Sequence, residues 1–153
     1  MLTETLTIPH SREAEEALLG SVLINPDIFA ETGLSAQAFY LHRHQFIWQA
    51  FQRLKDKSRA IDSLTVCEEL DDMGRLEEIG GPAFLTALLN QVPTTLNADD
   101  YAAIVREHHT RRLLLSAANE IARLSYANEL SVSELVAGAG ETLRKVPDQV
   151  SAP

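Results

Sequence analysis

Apolar residues recur at helical spacing through most of the chain, and no segment shows the strict alternation of a half-buried β-strand. The first apolar stripe follows a candidate N-cap at Ser11, and its members are Ala14, Ala17, Leu18 and Val22. A longer amphipathic helix is predicted over 42–57, where one face carries His44, Ile47, Trp48, Phe51 and Leu54. These patterns predict an all-α protein.

Turn and cap residues divide the remainder of the N-terminal part into short helices. Proline favours the first turn of a helix, glycine favours the residue after its end, and aspartate or serine favours the N-cap. In chain order, the predicted boundaries are Pro26, Gly33, Asp62 or Ser63, Gly74, Gly80-Gly81-Pro82 and Pro93.

The last third of the chain predicts a helical hairpin. Asn97 is a candidate N-cap, and no glycine or proline interrupts the chain from there to about Tyr126. Such a helix is about 45 Å long, so its second half must project from a domain of this size. A capping-box pattern at Ser131 and Glu134 then starts a closing helix after a short loop, which predicts two antiparallel helices.

These elements suggest four regions. We expect a flexible arm over 1–9, a globular helical head over 10–96, a projecting hairpin over 97–146, and the start of a linker over 147–153.

The predicted hairpin carries more apolar surface than two helices can cover between them. Self-association through paired hairpins about a two-fold axis would cover the remainder. The alternative is that the hairpin folds back onto the N-terminal helices of the same copy. The predicted pairing residues are Leu113, Leu114, Ala117, Ile121, Leu135, Val136, Ala139 and Leu143.

Charge and targeting signals narrow the class of protein. The 153 residues include 13 lysines and arginines against 22 aspartates and glutamates, and the resulting charge of −9 disfavours broad binding to nucleic acid. The N-terminus does not resemble a secretion signal, and no apolar run approaches the roughly 20 residues of a membrane span. A lone cysteine, Cys67, favours a reducing compartment. We therefore expect a cytoplasmic protein that binds no membrane and little DNA directly.

No self-contained catalytic, cofactor or metal site is apparent. The pairs His42/His44 and His108/His109 lack the spacing that places two ligands on one helix face, and His44 is better explained as a hydrogen-bonded histidine at the edge of the core. Cys67 lies on an apolar side, as an inert buried thiol does. No Gly-x-x-x-x-Gly-Lys-Ser/Thr loop is present. Acidic neighbours are expected to balance the arginines of the long helix, which are Arg106, Arg111, Arg112 and Arg123.

Motifs along the chain resemble the N-terminal domain of the bacterial replicative DNA helicase, the DnaB family. The resemblance runs from about residue 8 to 146, in order and in spacing. It rests on Ile8-Pro9-His10-Ser11-x-x-Ala14-Glu15, Leu18-Leu19-Gly20, Phe39-Tyr40, His44-Gln45-x-Ile47-Trp48, Ile61-Asp62-x-x-Thr65, Gly74-x-Leu76, Gly80-Gly81, Tyr101-Ala102-x-Ile104-Val105, Arg112-Leu113 and Ala117-Ala118-x-x-Ile121.

The resemblance implies a function that the residues alone do not. In the family this domain is a helical head with a hairpin; hairpins pair into dimers, and three dimers form a collar that supports the hexameric ring and receives primase. The resemblance implies that the chain associates with itself and that its other partners are primase and a helicase loader. It also implies that ATP and Mg bind only in the ATPase domain of the family, which this sequence lacks. We expect a non-catalytic oligomerisation and docking domain. A stand-alone adaptor or inhibitor of the ring, and the similarly folded helicase-binding domain of primase, are the alternatives.

Overall fold

A computed structural model describes residues 6–92 and 95–151, with side chains through 147. Within these ranges the chain forms α-helices and no β-strand. The helices are α1 (Arg12–Ile24), α2 (Asp27–Thr32), α3 (His42–Asp56), α4 (Ser63–Asp72), α5 (Leu76–Ile79), α6 (Gly81–Gln91), α7 (Ala98–Ser125) and α8 (Val132–Ser151), and a short 3-10 helix spans Ala36–Ala38.

The core of the head forms where the apolar stripes of α1 and α3 meet the shorter helices. Trp48 is at its centre, with ring centroids 4.8 Å from Phe29 and 4.9 Å from Phe39. Its indole Nε1 donates a hydrogen bond to the Leu34 carbonyl at 3.1 Å, so the one polar atom of the side chain is satisfied inside the core. The predicted helix over 42–57 and its buried face are confirmed.

Local cap chemistry sets the ends of the head helices as predicted. The Ser11 hydroxyl accepts from the Ala14 N–H at 3.1 Å, and the Asp62 carboxylate accepts from the Thr65 N–H at 2.8 Å. Gly33 follows α2 with a φ of 64°, a left-handed conformation that glycine adopts without steric cost.

A glycine allows α1 and α6 to pack closely. A Cβ placed on Gly20 would lie 2.5 Å from the Leu88 carbonyl oxygen and 2.5 Å from Val92 Cγ2. Any larger residue would have to push the backbones of the two helices apart. The Leu18-Leu19-Gly20 sequence therefore places a close helix contact beside two fully buried leucines.

The long helix α7 belongs to both the head and the hairpin. It contains 28 residues and is about 42 Å long. Its first half packs on α1, where Ala102 and Val105 are buried, and its second half packs along α8. Because α8 makes no comparable packing with a head helix in the described ranges, the alternative in which the hairpin folds back onto the head is wrong.

Three details differ from the sequence prediction or fall outside the described residues. Asn97 occupies the N-cap position of α7, but its side chain makes no capping hydrogen bond. Helix α8 continues through Pro147 to Ser151, because the fixed φ of proline is compatible with a helix even though an N–H is lost. Pro93, residues 1–5 of the arm and residues 152–153 lie outside the described residues. Among the described helices, none combines the length and apolarity of a membrane span.

Candidate protein-docking face of the hairpin

The interior of the hairpin is narrow and built from small residues. Ala117 on α7 and Val146 on α8 are buried, at 7% and 6% exposure. A Cβ placed on Gly138 would lie 3.4 Å from Leu124 Cδ1, so α8 approaches α7 closely at this level. The two helices therefore cover only the thin strip of each other on which these residues lie.

A capping box fixes the start of α8, as its sequence predicts. The Ser131 hydroxyl accepts from the Glu134 N–H at 3.1 Å, and the Glu134 carboxylate accepts from the Ser131 N–H at 3.2 Å. Two backbone donors that have no partner within the helix are satisfied in this way. The turn therefore presents α8 to α7 in one orientation.

One side of the hairpin is apolar and exposed. Val132, Val136 and Leu143 recur at four- and seven-residue steps on α8, and their exposures are 76%, 68% and 52%. Leu114 on α7 is 44% exposed. We refer to these four residues, Leu114, Val132, Val136 and Leu143, as the pairing face.

The opposite side of the hairpin is a polar groove of about 490 Å³. Lys145, which lines this groove, points about 200° away from Leu143 on the same helix, so the groove and the pairing face lie on different sides. Arg123 donates to Glu120 at 2.6 Å along the groove, and this hydrogen bond is the main cause that lowers the pKa of Glu120. Leu114 on α7 likewise points about 200° away from Ser116 of the groove, so the pairing face lies on the other side of both helices. Exposed apolar side chains also occur elsewhere on the hairpin, at Leu115 (46%) and Tyr126 (84%).

The eight predicted pairing residues fall into three groups. Leu114, Val136 and Leu143 lie on the pairing face, and Ala117 is buried inside the hairpin. The partly buried members of the set are Leu113, Ile121, Leu135 and Ala139. Val132 was not among the eight, although its spacing from Val136 is a signal that could have identified it.

Sequence reasoning missed a buried carboxylate cluster in the head. The Nδ1 of His44 lies 2.7 Å from Glu15 Oε1, and its Nε2 lies 3.2 Å from Glu16 Oε2. All three residues are buried, and Glu16 also accepts from Arg12 at 3.0 Å and from Arg43 at 3.3 Å. Burial raises the pKa of Glu16, but hydrogen bonds from Arg12 and His44 and their charges lower it on balance. Every member has a partner, so the cluster acts as a structural junction between α1 and α3.

The arginines of α7 do not all pair with acidic neighbours as expected. Arg111 pairs with Glu107 at 3.0 Å, and Arg123 pairs with Glu120. Arg106 and Arg112 instead donate to backbone carbonyls of the head. These two residues thus contact the head rather than an acidic neighbour on α7, which the sequence did not predict because it does not show which distant carbonyls a helix will meet.

The candidate metal and nucleophile residues are separated in space or held by other contacts. His42 is exposed, whereas His44 is buried between two glutamates, in agreement with its predicted structural role. In the part of the chain that the structure describes, no group of three histidine, cysteine or carboxylate side chains is arranged to hold a metal ion. Cys67 packs against the core of the head, and burial raises the pKa of its thiol.

Comparison with known proteins agrees with this architecture. Residues 7–107 match the family model described as the DnaB-like helicase N terminal domain. The replicative DNA helicase DnaC of Bacillus subtilis is 37% identical over 140 residues, and the replicative DNA helicase DnaB of Geobacillus stearothermophilus is 36% identical over 140 residues. Each alignment covers 90% of this chain, and the chain spans 31% of the length of each relative.

Solved structures show the same fold. The crystal structure of the N-terminal domain of DnaB helicase from Mycobacterium tuberculosis superposes with a TM-score of 0.85 at 33% identity, and the match covers 91% of this chain and 99% of that one. A DnaB-like replicative helicase, solved to describe its interactions with primase, shares the fold with a TM-score of 0.78 at 24% identity, over 89% of this chain and 31% of that one. The chain therefore belongs to the family of DnaB-like helicase N-terminal domains.

Proposed function

We propose that this chain is a non-catalytic oligomerisation and protein-docking domain of a replicative helicase. The observation that carries the proposal is the pairing face, an apolar surface on a hairpin that its own head does not cover. In a two-fold dimer each residue of such a face contributes twice, once from each copy. Pairing of hairpins would then set the symmetry of the assembly.

The size of the pairing face favours a weak, concentration-dependent dimer. Full burial of a valine or leucine contributes about 1.5–3 kcal/mol, but these four residues are already partly covered, at exposures of 44–76%. Two copies together would therefore gain on the order of 7–14 kcal/mol. Association costs about 4–15 kcal/mol in lost motion, a range that overlaps the gain. Isolated domains would therefore exchange between monomers and dimers, and a ring that joins several copies would hold the dimers together more firmly.

The partners of the proposed domain follow from its relatives. The DnaB-like helicase of known structure interacts with primase, and the relatives of similar sequence are replicative helicases. We extend this to a cytoplasmic role in which three dimers form a collar that supports the hexameric ring, receives primase and contacts a helicase loader. ATP and Mg would act in a separate ATPase domain.

The proposed absence of catalysis rests on the sequence. It contains no Gly-x-x-x-x-Gly-Lys-Ser/Thr loop, the glycine-rich loop whose backbone N–H groups and lysine hold the phosphates of ATP. We expect the isolated chain to release no phosphate from ATP, with or without single-stranded DNA. Steady ATP hydrolysis that co-purifies with the chain through two chromatography columns of different chemistry would contradict the proposal.

Light scattering across a concentration series tests the proposed pairing. The expected result is a mass that rises from one copy towards two, or towards a larger even number, as the concentration increases. Val136→Glu and Leu143→Glu place a charge on the pairing face and should keep the chain monomeric, while circular dichroism shows unchanged helicity. Leu64→Glu is the matched control, because Leu64 is 69% exposed on the head.

Two outcomes would contradict the pairing proposal. One is a wild-type chain that stays monomeric at the highest concentration reached. The other is an association that Leu64→Glu abolishes and the two hairpin variants leave intact, because it would place the contact on the head.

A further inference from the structure

The junction between the head and the hairpin contains a stack of side chains that the docking function does not use. We propose that Arg112, Tyr40 and His10 form a clasp that fixes the direction in which the hairpin leaves the head. The clasp joins α7 to the N-terminal arm, to the end of the 3-10 helix and to Tyr40 just after it. It is a property of a single copy and goes beyond the proposed pairing, whether or not hairpins associate.

Arg112 holds the N-terminal arm and a segment of the head at once. One terminal nitrogen of its guanidinium donates to the Pro9 carbonyl at 2.7 Å, and the other donates to the Ala38 carbonyl at 2.7 Å. These partners are 103 and 74 residues away along the chain. A planar group with divergent donors can bridge two fixed acceptors in this way, whereas an ammonium group at one point cannot reach both equally well.

Aromatic stacking completes the clasp on the side of the arm. The Arg112 guanidinium carbon lies 5.4 Å from the centre of the Tyr40 ring, within the range of a cation–π contact. The His10 ring stacks on Tyr40 with centroids 4.4 Å apart and an angle of 26° between the planes. His10 Nδ1 also lies 2.7 Å from the Ile8 carbonyl, so the Ile8-Pro9-His10 motif is folded around the clasp.

The clasp is anchored in the buried carboxylate cluster. The Tyr40 N–H donates to Glu15 Oε2 at 2.7 Å, and Glu15 in turn contacts His44 at 2.7 Å. Because Glu15 and His44 are both fully enclosed, the backbone of Tyr40 is held in place from inside the head. The cluster thereby fixes the ring on which Arg112 rests.

The position of Arg112 along α7 explains why it can set a direction. The head buries α7 at Ala98, Ala102 and Val105, which lie within about two turns of its start. A helix held over so short a length can tilt about its contact. Arg106, which donates to the Thr32 carbonyl, and then Arg112 extend the attachment by almost two further turns, on different sides of the helix.

Single-molecule energy transfer between the head and the hairpin tip tests the clasp. In a Cys67→Ser background, dyes on Asp72→Cys in the head and Asn128→Cys in the hairpin turn report the distance between two exposed positions. The dilution of the method keeps copies apart, so failure of the clasp and failure of pairing give different results. The wild-type clasp should give one narrow distribution of transfer efficiency.

Loss of the clasp should broaden that distribution and shift its mean. We expect this result for Arg112→Met, a smaller effect for Arg112→Lys, and no change for Arg111→Met, a matched control on the neighbouring exposed residue. Tyr40→Ala and His10→Ala, which leave Arg112 in place, should also broaden it. If circular dichroism shows that Arg112→Met no longer folds, these two variants test the clasp in its place.

Unchanged distributions in Arg112→Met, or in both Tyr40→Ala and His10→Ala if Arg112→Met does not fold, would overturn the proposal. Equal broadening in Arg111→Met would also overturn it, because the effect would then come from loss of any arginine at this level of α7.

Discussion

The head and the hairpin are stabilised in different ways, although one helix runs through both. The head encloses large side chains on all sides, and Trp48, Phe51 and Leu18 are each at most 1% exposed. The hairpin buries little more than Ala117 and Val146 between its helices and leaves the pairing face uncovered. The head is therefore stable through its own core, whereas the hairpin would gain stability if another surface covered the pairing face.

The largest expected effect is a cavity in the head. Phe51→Ala removes a ring whose centroid lies 5.7 Å from that of Trp48 and 6.1 Å from that of Phe29. The substitution should lower the free energy of unfolding by about 3–5 kcal/mol. Urea unfolding followed by circular dichroism measures the loss. Val146→Ala in the hairpin is the comparison and should cost only about 1–2 kcal/mol. Equal losses would mean that the two regions do not differ in this way.

Alanine at two helical glycines should have opposite effects in the two regions. Gly20→Ala should cost about 3 kcal/mol, because its Cβ meets the Leu88 carbonyl in the packed head. Gly138→Ala should instead stabilise the hairpin by about 0.5–1 kcal/mol, because its Cβ meets only the flexible end of Leu124. Thermal unfolding of both variants compares them directly, and a destabilised Gly138→Ala would show that the hairpin is packed as tightly as the head.

A titration separates the charge cluster of the head from ordinary surface carboxylates. Folding lowers the pKa of Glu16 below its usual 4.5. The ionised Glu16 therefore stabilises the fold fully above pH 4.5, and this contribution is lost as the pH falls through the pKa of Glu16 in the folded chain. Glu16→Gln should lower the free energy of unfolding by about 2 kcal/mol at neutral pH, and its free energy of unfolding should fall less steeply than that of the wild type as the pH is lowered. Glu13→Gln, an exposed change in the same helical turn, should follow the wild-type curve in urea unfolding measured from pH 7 to pH 3.

The smallest effect should arise at the hairpin turn. Ser131→Ala removes half of the capping box and should cost about 1 kcal/mol, whereas Ser133→Ala, two residues along and exposed, should cost less than about 0.5 kcal/mol. Hydrogen exchange should show the loss as faster exchange in the first turn of α8, with the head unchanged. Faster exchange in the head as well would mean that the two regions unfold together.

The sequence predicted those features that depend on neighbours along the chain. Helical spacing predicted the buried face of α3, and the patterns at Ser131, Asp62 and Gly33 predicted helix ends, because each involves residues within one turn. The length of α7 predicted that its second half projects, and the short loop with the capping box predicted the antiparallel α8.

Features that depend on distant residues could not be predicted in the same way. Glu15 and Glu16 have the pattern of ordinary first-turn carboxylates, and only the fold places His44 between them. The carbonyl partners of Arg112 are similarly distant in sequence. Which exposed side of the hairpin meets another protein depends on the surface of that protein, and helical spacing in one chain carries no information about it.

The enclosed position of Trp48 has a consequence for spectroscopy. It is the one tryptophan in the sequence and lies in the head, so intrinsic fluorescence reports on the surroundings of the head core. Circular dichroism, in contrast, records every helix, including the hairpin. Two optical signals taken from one unlabelled sample can thus distinguish the regions. Unfolding curves from fluorescence and circular dichroism that fail to coincide would reveal a population in which the hairpin has unfolded and the head is still folded.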